Sequence, residues 1–123
     1  EMCIRDSRII MPGIPDKKLI FRMSRSFYQA LLTEGVKIYE YTPGFVHAKS
    51  FVSDDVVGTI GTVNLDYRSL FLHFENNSLF YRSNIIAELK DDFLSTQAKC
   101  RQVQPYAPGE AARRAAYFAS VEE

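Results

Sequence analysis

The stretch from Arg8 to Tyr41 limits the possible folds more than any other part of the chain. Two short runs rich in β-branched residues, Arg8 to Met11 and Val36 to Tyr41, bracket a segment of helical periodicity. The first run ends at Pro12-Gly13, a turn signal. Pro15-Asp16 reads as the start of a helix, with Asp16 as its N-cap. From Lys17 to Glu34 the apolar residues Ile20, Met23, Phe27, Ala30 and Leu31 recur at helical spacing, which predicts one inward face. Gly35 is a natural stop just past a helix end. Val36 to Tyr41 alternates, with Val36, Ile38 and Glu40 on one face and Lys37, Tyr39 and Tyr41 on the other, and Pro43-Gly44 ends it. A strand–helix–strand unit of this kind suits a right-handed parallel crossover, so the expected class is α/β.

The remainder reads as a hairpin, a strand and a helix. Phe45 to Ser53 is predicted as a strand, with Asp54-Asp55 turning the chain into Val56 to Ile60. Gly61 breaks that second strand, Asp66 to Leu70 suggests a helical turn, and His73 to Tyr81 suggests another strand. Ser83 or Asn84 is expected to cap a helix running to about Gln102, with Ile85, Ile86, Leu89 and Phe93 inward. The whole predicts a mixed β-sheet flanked by helices. The first seven residues look like translated adapter text and read as a foreign leader, residues 1–7. The expected lobe is 8–103, and 104–123 is a tail with weak helical character in its Ala- and Arg-rich end.

Composition narrows the partners. At 123 residues, with 46% hydrophobic and 24% charged, the chain suits one folded domain rather than a disordered segment. Fifteen Lys and Arg balance fifteen Asp and Glu, so a bulk electrostatic grip on nucleic acid is not expected. Cys3 and Cys100 form neither a disulfide framework nor a zinc pattern. His47 and His73 lack metal-ligand spacing, and neither a metal nor another cofactor is expected. No apolar run approaches the ~18 residues that span a bilayer, and no signal peptide is visible.

The chemistry concentrates between Phe45 and Glu75. On a strand His47 and Lys49 share a face, because residues two apart point the same way. Two such groups side by side make sense around an anion. Gly61-Thr62-Val63-Asn64 follows, offering a close backbone turn, a hydroxyl and an amide. If the hairpin brings Asn64 beside His47, the result is a set suited to a phosphate. Each feature alone has an ordinary explanation: a strand histidine, a solvated lysine, an Asp-Asp turn, a loop.

Together they form His47-x-Lys49, four residues, Asp54, six residues, then Gly61-Thr62-x-Asn64. That pattern resembles the signature of the phospholipase D superfamily, with Thr62 where Ser is usual. Gly35 to Tyr41, Gly44 to Lys49, Asn64 to Ser69 and Phe74-Glu75 are further similar to bacterial cardiolipin synthases, as is Pro12 to Lys18. The resemblance covers about Arg8 to Val103 and matches the second catalytic half of such an enzyme.

It implies one lobe of a two-lobed fold, completed by an N-terminal half with the first motif or by a homodimer partner. The implied reaction joins two phosphatidylglycerols, through a phosphohistidine, into cardiolipin plus glycerol. It implies the cytoplasmic face of a bacterial inner membrane for the full-length enzyme. By the same resemblance His47 is an acid–base or nucleophilic group, Lys49, Thr62 and Asn64 hold the phosphoryl oxygens, and Glu75 orients His47. Asp54 belongs to the motif and is expected to work at the turn. Asp66, Arg68 and Ser69 are expected to form an internal hydrogen-bonded buttress. Tyr39, Tyr41 and Phe45 suit either core packing or a lipid approach. The alternatives are a homodimeric phosphodiesterase or endonuclease, and a non-catalytic lobe.

Overall fold

The computed structural model describes residues 6–106 and 109. In chain order the elements are β1 (Arg8–Pro12), α1 (Lys18–Ser26), α2 (Tyr28–Thr33), β2 (Lys37–Tyr41), β3 (Ser50–Ser53), β4 (Val57–Gly61), α3 (Tyr67–Phe71), β5 (Asn77–Tyr81), α4 (Ile85–Gln97) and β6 (Cys100–Gln102). The described residues fall into two units, one holding those up to Phe45 and from Lys99, the other Val46–Ala98. The expected α/β class with mixed strand directions and flanking helices holds, the strands forming two three-stranded sheets, one in each unit. The expected weak helical character of the Ala- and Arg-rich end, Glu110 to Glu123, lies outside the described residues.

In the first unit the strand order is β1-β2-β6. β1 and β2 pair in parallel from Arg8↔Lys37 to Pro12↔Tyr41, as a crossover requires. β6 runs antiparallel on the other side of β2, from Tyr39↔Gln102 to Tyr41↔Cys100. The sequence reading ran the last helix through this strand. α4 stops at Gln97, and Arg101 and Val103 then serve β2: Val103 N–H donates to the Ile38 carbonyl at 2.9 Å. Sheet pairing overrides the local helical preference there.

The core of this unit is Tyr28, Val36 and Ile38, with Ile9, Met11, Leu32 and Val103 packed around it. Each fully buried aliphatic side chain contributes about 1.5–3 kcal/mol. The expected long helix is broken in two at Phe27. Ser26 Oγ donates back to the Met23 carbonyl at 2.6 Å, a local bond that competes with the helical ladder. The inward face also differs from the expected stripe. Ile20, Met23 and Phe27 are exposed, and Tyr28 and Leu32 face the core. Asp16 is not the cap either: the N-cap is Lys17, with no side-chain capping bond. Gly35 ends α2 at φ +88°, the left-handed conformation its position predicts.

The alternation read in β2 holds, with an unexpected content. Ile38 and Glu40 point to the buried face, and Glu40 is only 1% exposed. Its carboxylate meets Arg25 Nε at 2.9 Å and Arg25 Nη2 at 3.1 Å, and Arg101 Nη2 at 2.6 Å. Burial pushes the Tyr28 hydroxyl well above its ordinary titration range, and the negative charge of Glu40 beside it adds to the rise. A charge goes into this interior only because two guanidinium groups and a phenol meet it.

The second unit carries the antiparallel order β3-β4-β5. β3 and β4 pair from Ser50↔Ile60 to Ser53↔Val57, joined through Asp54, Asp55 and Val56. Asp54 and Asp55 sit at φ 53° and 56°, left-handed positions that Asp tolerates better than most residues. Asp55 also takes an ion pair from Lys90 at 2.6 Å. β4 and β5 pair from Val57↔Tyr81 to Gly61↔Asn77. α4 lies over β4: a Cβ on Gly58 would meet Ile86 and Leu89 side chains at 3.3 Å, and Ile86 is buried. Ile85, Leu89 and Phe93 are partly buried, as their spacing predicts. The cap of α4 is Asn84, without a side-chain bond, while Ser83 Oγ accepts from Ile85 N–H at 3.4 Å. No helix among the described residues is long and apolar enough to cross a membrane.

Candidate active site

Two expected strands are shorter than their sequences suggest, and both changes fall at the site. β3 begins at Ser50, so His47 and Lys49 lie in irregular chain rather than on a strand. The ladder ends because its partner ends. Gly61 N–H still donates to the Lys49 carbonyl at 3.2 Å, but Thr62 then turns to β5 and its N–H goes to the Asn76 carbonyl at 3.1 Å. β5 likewise begins at Asn77, leaving His73 to Asn76 outside it.

His47 and Lys49 nonetheless stand together. Lys49 Nζ is 2.7 Å from the His47 carbonyl oxygen, 2.8 Å from its Nδ1 and 3.2 Å from its Nε2. His47 is exposed and Lys49 is partly buried. An ammonium this close to the ring suits an imidazole nitrogen that accepts a hydrogen bond.

The second cluster gathers on Glu75. Thr62 Oγ1 donates to Glu75 Oε2 at 2.5 Å, and Ser69 Oγ donates to Glu75 Oε1 at 2.7 Å. Neither hydroxyl has a choice of direction. Thr62 Oγ1 already accepts from Asn76 N–H at 3.0 Å, and Ser69 Oγ accepts from Asn64 Nδ2 at 3.3 Å. Each hydroxyl proton is thereby sent to the carboxylate, so both Glu75 oxygens act as acceptors. The Thr62 bond first, then the Ser69 bond, holds the Glu75 carboxyl below its ordinary range, with smaller help from the positive charges of His73 and Lys49. Partial burial works against that shift.

Local sequence explains how these donors are placed. Asp66 caps α3, its Oδ1 accepting Ser69 N–H at 2.7 Å, which fixes Ser69 over Glu75. The expected buttress therefore exists for Asp66 and Ser69, and Ser69 does more than was read from the sequence: it touches Glu75 directly. Asn64 reaches the cluster through Ser69. Asp54 sits in the β3–β4 turn, where its Oδ2 accepts from Ser53 Oγ at 3.2 Å. Spacing alone gives His73 no metal partner. In the structure its Nδ1 lies 3.8 Å from Glu75 Oε1. The i, i+2 spacing of His73 and Glu75 was the available signal.

Residues 5–97 match the family described as cardiolipin synthase, PLD-like domain. The chain belongs to that family. Among curated relatives it is 52% identical over 98 residues to an uncharacterized protein of Streptococcus mutans, covering 80% of this chain and 21% of the relative. It is 42% identical over 99 residues to a cardiolipin synthase of Halalkalibacterium halodurans, covering 80% and 20%. A cardiolipin synthase of Geobacillus kaustophilus is 48% identical over 89 residues, covering 72% and 18%. The chain thus spans about a fifth of the length of these relatives. The PLD-like segment includes all of His47, Lys49, Asp54, Thr62, Asn64, Ser69 and Glu75.

Proposed function

We propose that this segment is one catalytic half of a phosphatidyltransferase that joins two phosphatidylglycerols into cardiolipin and releases glycerol. The observation that carries the reading is the Glu75 carboxylate, bound at both oxygens by hydroxyls whose protons have nowhere else to go. Such a group suits holding one nitrogen of an acid–base imidazole protonated. His47, with Lys49 against it, supplies that imidazole within the same unit.

In the proposed reaction a second histidine, from outside this chain's single motif, attacks phosphorus. The P–O bond to the leaving glycerol breaks, and His47 gives the alkoxide its proton. His47 then takes the proton of the acceptor hydroxyl, whose oxygen attacks phosphorus as the P–N bond breaks. Lys49, Thr62 and Asn64 offer donors to the phosphoryl oxygens as charge shifts onto them. Neither a metal nor a cofactor takes part. The partners are phosphatidylglycerol, the half carrying the first motif or a second copy of this chain, and the membrane surface presenting the lipid.

The test is turnover of phosphatidylglycerol by the intact protein. Glu75→Gln and His47→Ala should each slow cardiolipin formation, by up to roughly 10⁴. The double variant should be little worse than the slower single one, since both disable one acid–base unit. Full turnover by Glu75→Gln, or losses that multiply, would remove Glu75 from the mechanism.

A further inference from the structure

We infer that His73 is a positioning residue of this site, whose charge sets how strongly Glu75 is available to the acid–base histidine of the proposed reaction. The inference rests on the phosphatidyltransfer reading and adds a residue and a regulation to it.

His73 is held beside Glu75 by the end of α3. The Leu72 and His73 N–H groups both donate to the Arg68 carbonyl at 3.0 Å, which closes the helix and fixes the His73 backbone. Its Nδ1 then lies 3.8 Å from Glu75 Oε1, the same oxygen that Ser69 Oγ reaches at 2.7 Å. At 3.8 Å the imidazole is too far for a hydrogen bond and acts on the carboxylate by charge.

The neighbours of Glu75 isolate this effect. From the chain after β4 comes Thr62, and from α3 comes Ser69, both neutral hydroxyls. Among the described residues the charged groups acting on Glu75 are His73 and, ahead of β3, Lys49. Histidine is the side chain whose charge ordinarily changes between about pH 5 and pH 8. A positive charge on the His73 ring stands beside Glu75 Oε1, and a neutral ring removes it.

The direction follows from competition for one anion. An imidazolium on His73 stabilises the Glu75 carboxylate where it stands and lowers its capacity to stabilise an imidazolium on His47. Neutral His73 releases that capacity. The side chain of His73 is 47% exposed, so the effect is screened and modest. It is a bias on rate with pH, distinct from the larger loss expected when Glu75 itself is changed.

The experiment compares His73→Asn, which is neutral and of similar size, with His73→Lys, which keeps a cation. In the intact protein, His73→Asn should keep neutral-pH turnover within about twofold and lose less rate than the parent on acidification, whereas His73→Lys should be slow across the whole range. In parallel, the Glu75 carboxyl is followed by carbon NMR in the full chain, without substrate. His73→Asn should raise its titration and His73→Lys should leave it low. An unmoved Glu75 titration in His73→Asn, or identical acid limbs in all three proteins, overturns the inference. Absence of any phosphatidylglycerol turnover in the parent protein instead overturns the reading beneath it, and the carboxyl titration then decides the His73–Glu75 coupling by itself.

Discussion

The buried carboxylate of Glu40 makes an asymmetric prediction about stability. Glu40 is 1% exposed, whereas the Arg25 and Arg101 side chains that meet it are 29% and 65% exposed. Removing the two sides of this cluster therefore has unequal consequences. In Arg25→Ala/Arg101→Ala the carboxylate stays in the interior with the Tyr28 hydroxyl beside it but neither guanidinium. A buried charge stripped of its partners costs about 3–5 kcal/mol. In Glu40→Leu the two guanidinium groups, already partly in water, turn outward and rehydrate, and an apolar side chain fills the space. The remaining loss is the phenol's partner, about 1 kcal/mol. Domains of this size have only about 5–15 kcal/mol in hand. The double arginine variant should thus lower the urea midpoint by about 1 M or more, and Glu40→Leu by a fraction of that. Far-UV circular dichroism is the suitable readout, since the chain has no tryptophan. If Glu40→Leu is as damaging as the arginine pair, the cost lies in local packing and the electrostatic argument fails.

Two further predictions concern the second unit. A Cβ on Gly61 would lie 2.6 Å from Asn77 Cα and clash with the Asn77 side chain and the Asn76 carbonyl, so Gly61→Ala should destabilise by about 1–3 kcal/mol and also slow turnover by displacing Thr62 from Glu75; melting and rate measured on the same protein would refute this if both were unchanged. Glu75 has a folded-state titration held below its ordinary value of 4.5, so it adds stability above about that pH and loses it as the pH falls through the lower, folded value; melting from about pH 7 to about pH 3 should show Glu75→Gln as the less stable protein only at the upper end, and a difference that grows on acidification would reverse the sign of the argument.

The parts of this molecule legible in sequence were those written in short-range chemistry. Gly35, the Asp54-Asp55 turn and the helical turn after Asp66 all appear where their residue types place them. The parallel pairing of Arg8–Pro12 with Lys37–Tyr41 followed from two β-branched runs around a helical stretch. The failures share a different cause. The inward face of the first helical segment differs because α1, with Ile20 and Met23, buries no residue, and past the break at Phe27 it is Tyr28 and Leu32 that pack on the core. β6 was missed because Cys100 to Gln102 has no strand pattern of its own and is recruited by the open edge of β2. Glu40 had been placed on the face of Val36 and Ile38, which implied a buried charge. Its arginine partners, 15 and 61 residues away, were not readable from spacing.

The site shows the same division, and it explains why sheet register and chemistry are one problem here. His47 and Lys49 could be paired from their spacing, although the strand that was to align them is absent. The hydroxyl clamp on Glu75 depends on long-range pairing. Gly61 stands opposite Asn77, and the next residue, Thr62, therefore reaches back across the sheet end to Asn76 N–H and Glu75 Oε2. A slip of one residue would send these side chains to the opposite face. Gly61 permits that close approach, since any larger residue would push Asn76 and Asn77 away. Thr62 serves here because the arrangement asks for one hydroxyl that accepts from a backbone N–H and donates to a carboxylate. Its extra methyl adds no hydrogen-bonding group. The short β4–β5 ladder thus fixes the direction of a proton, and through it the charge state in which Glu75 meets its neighbours.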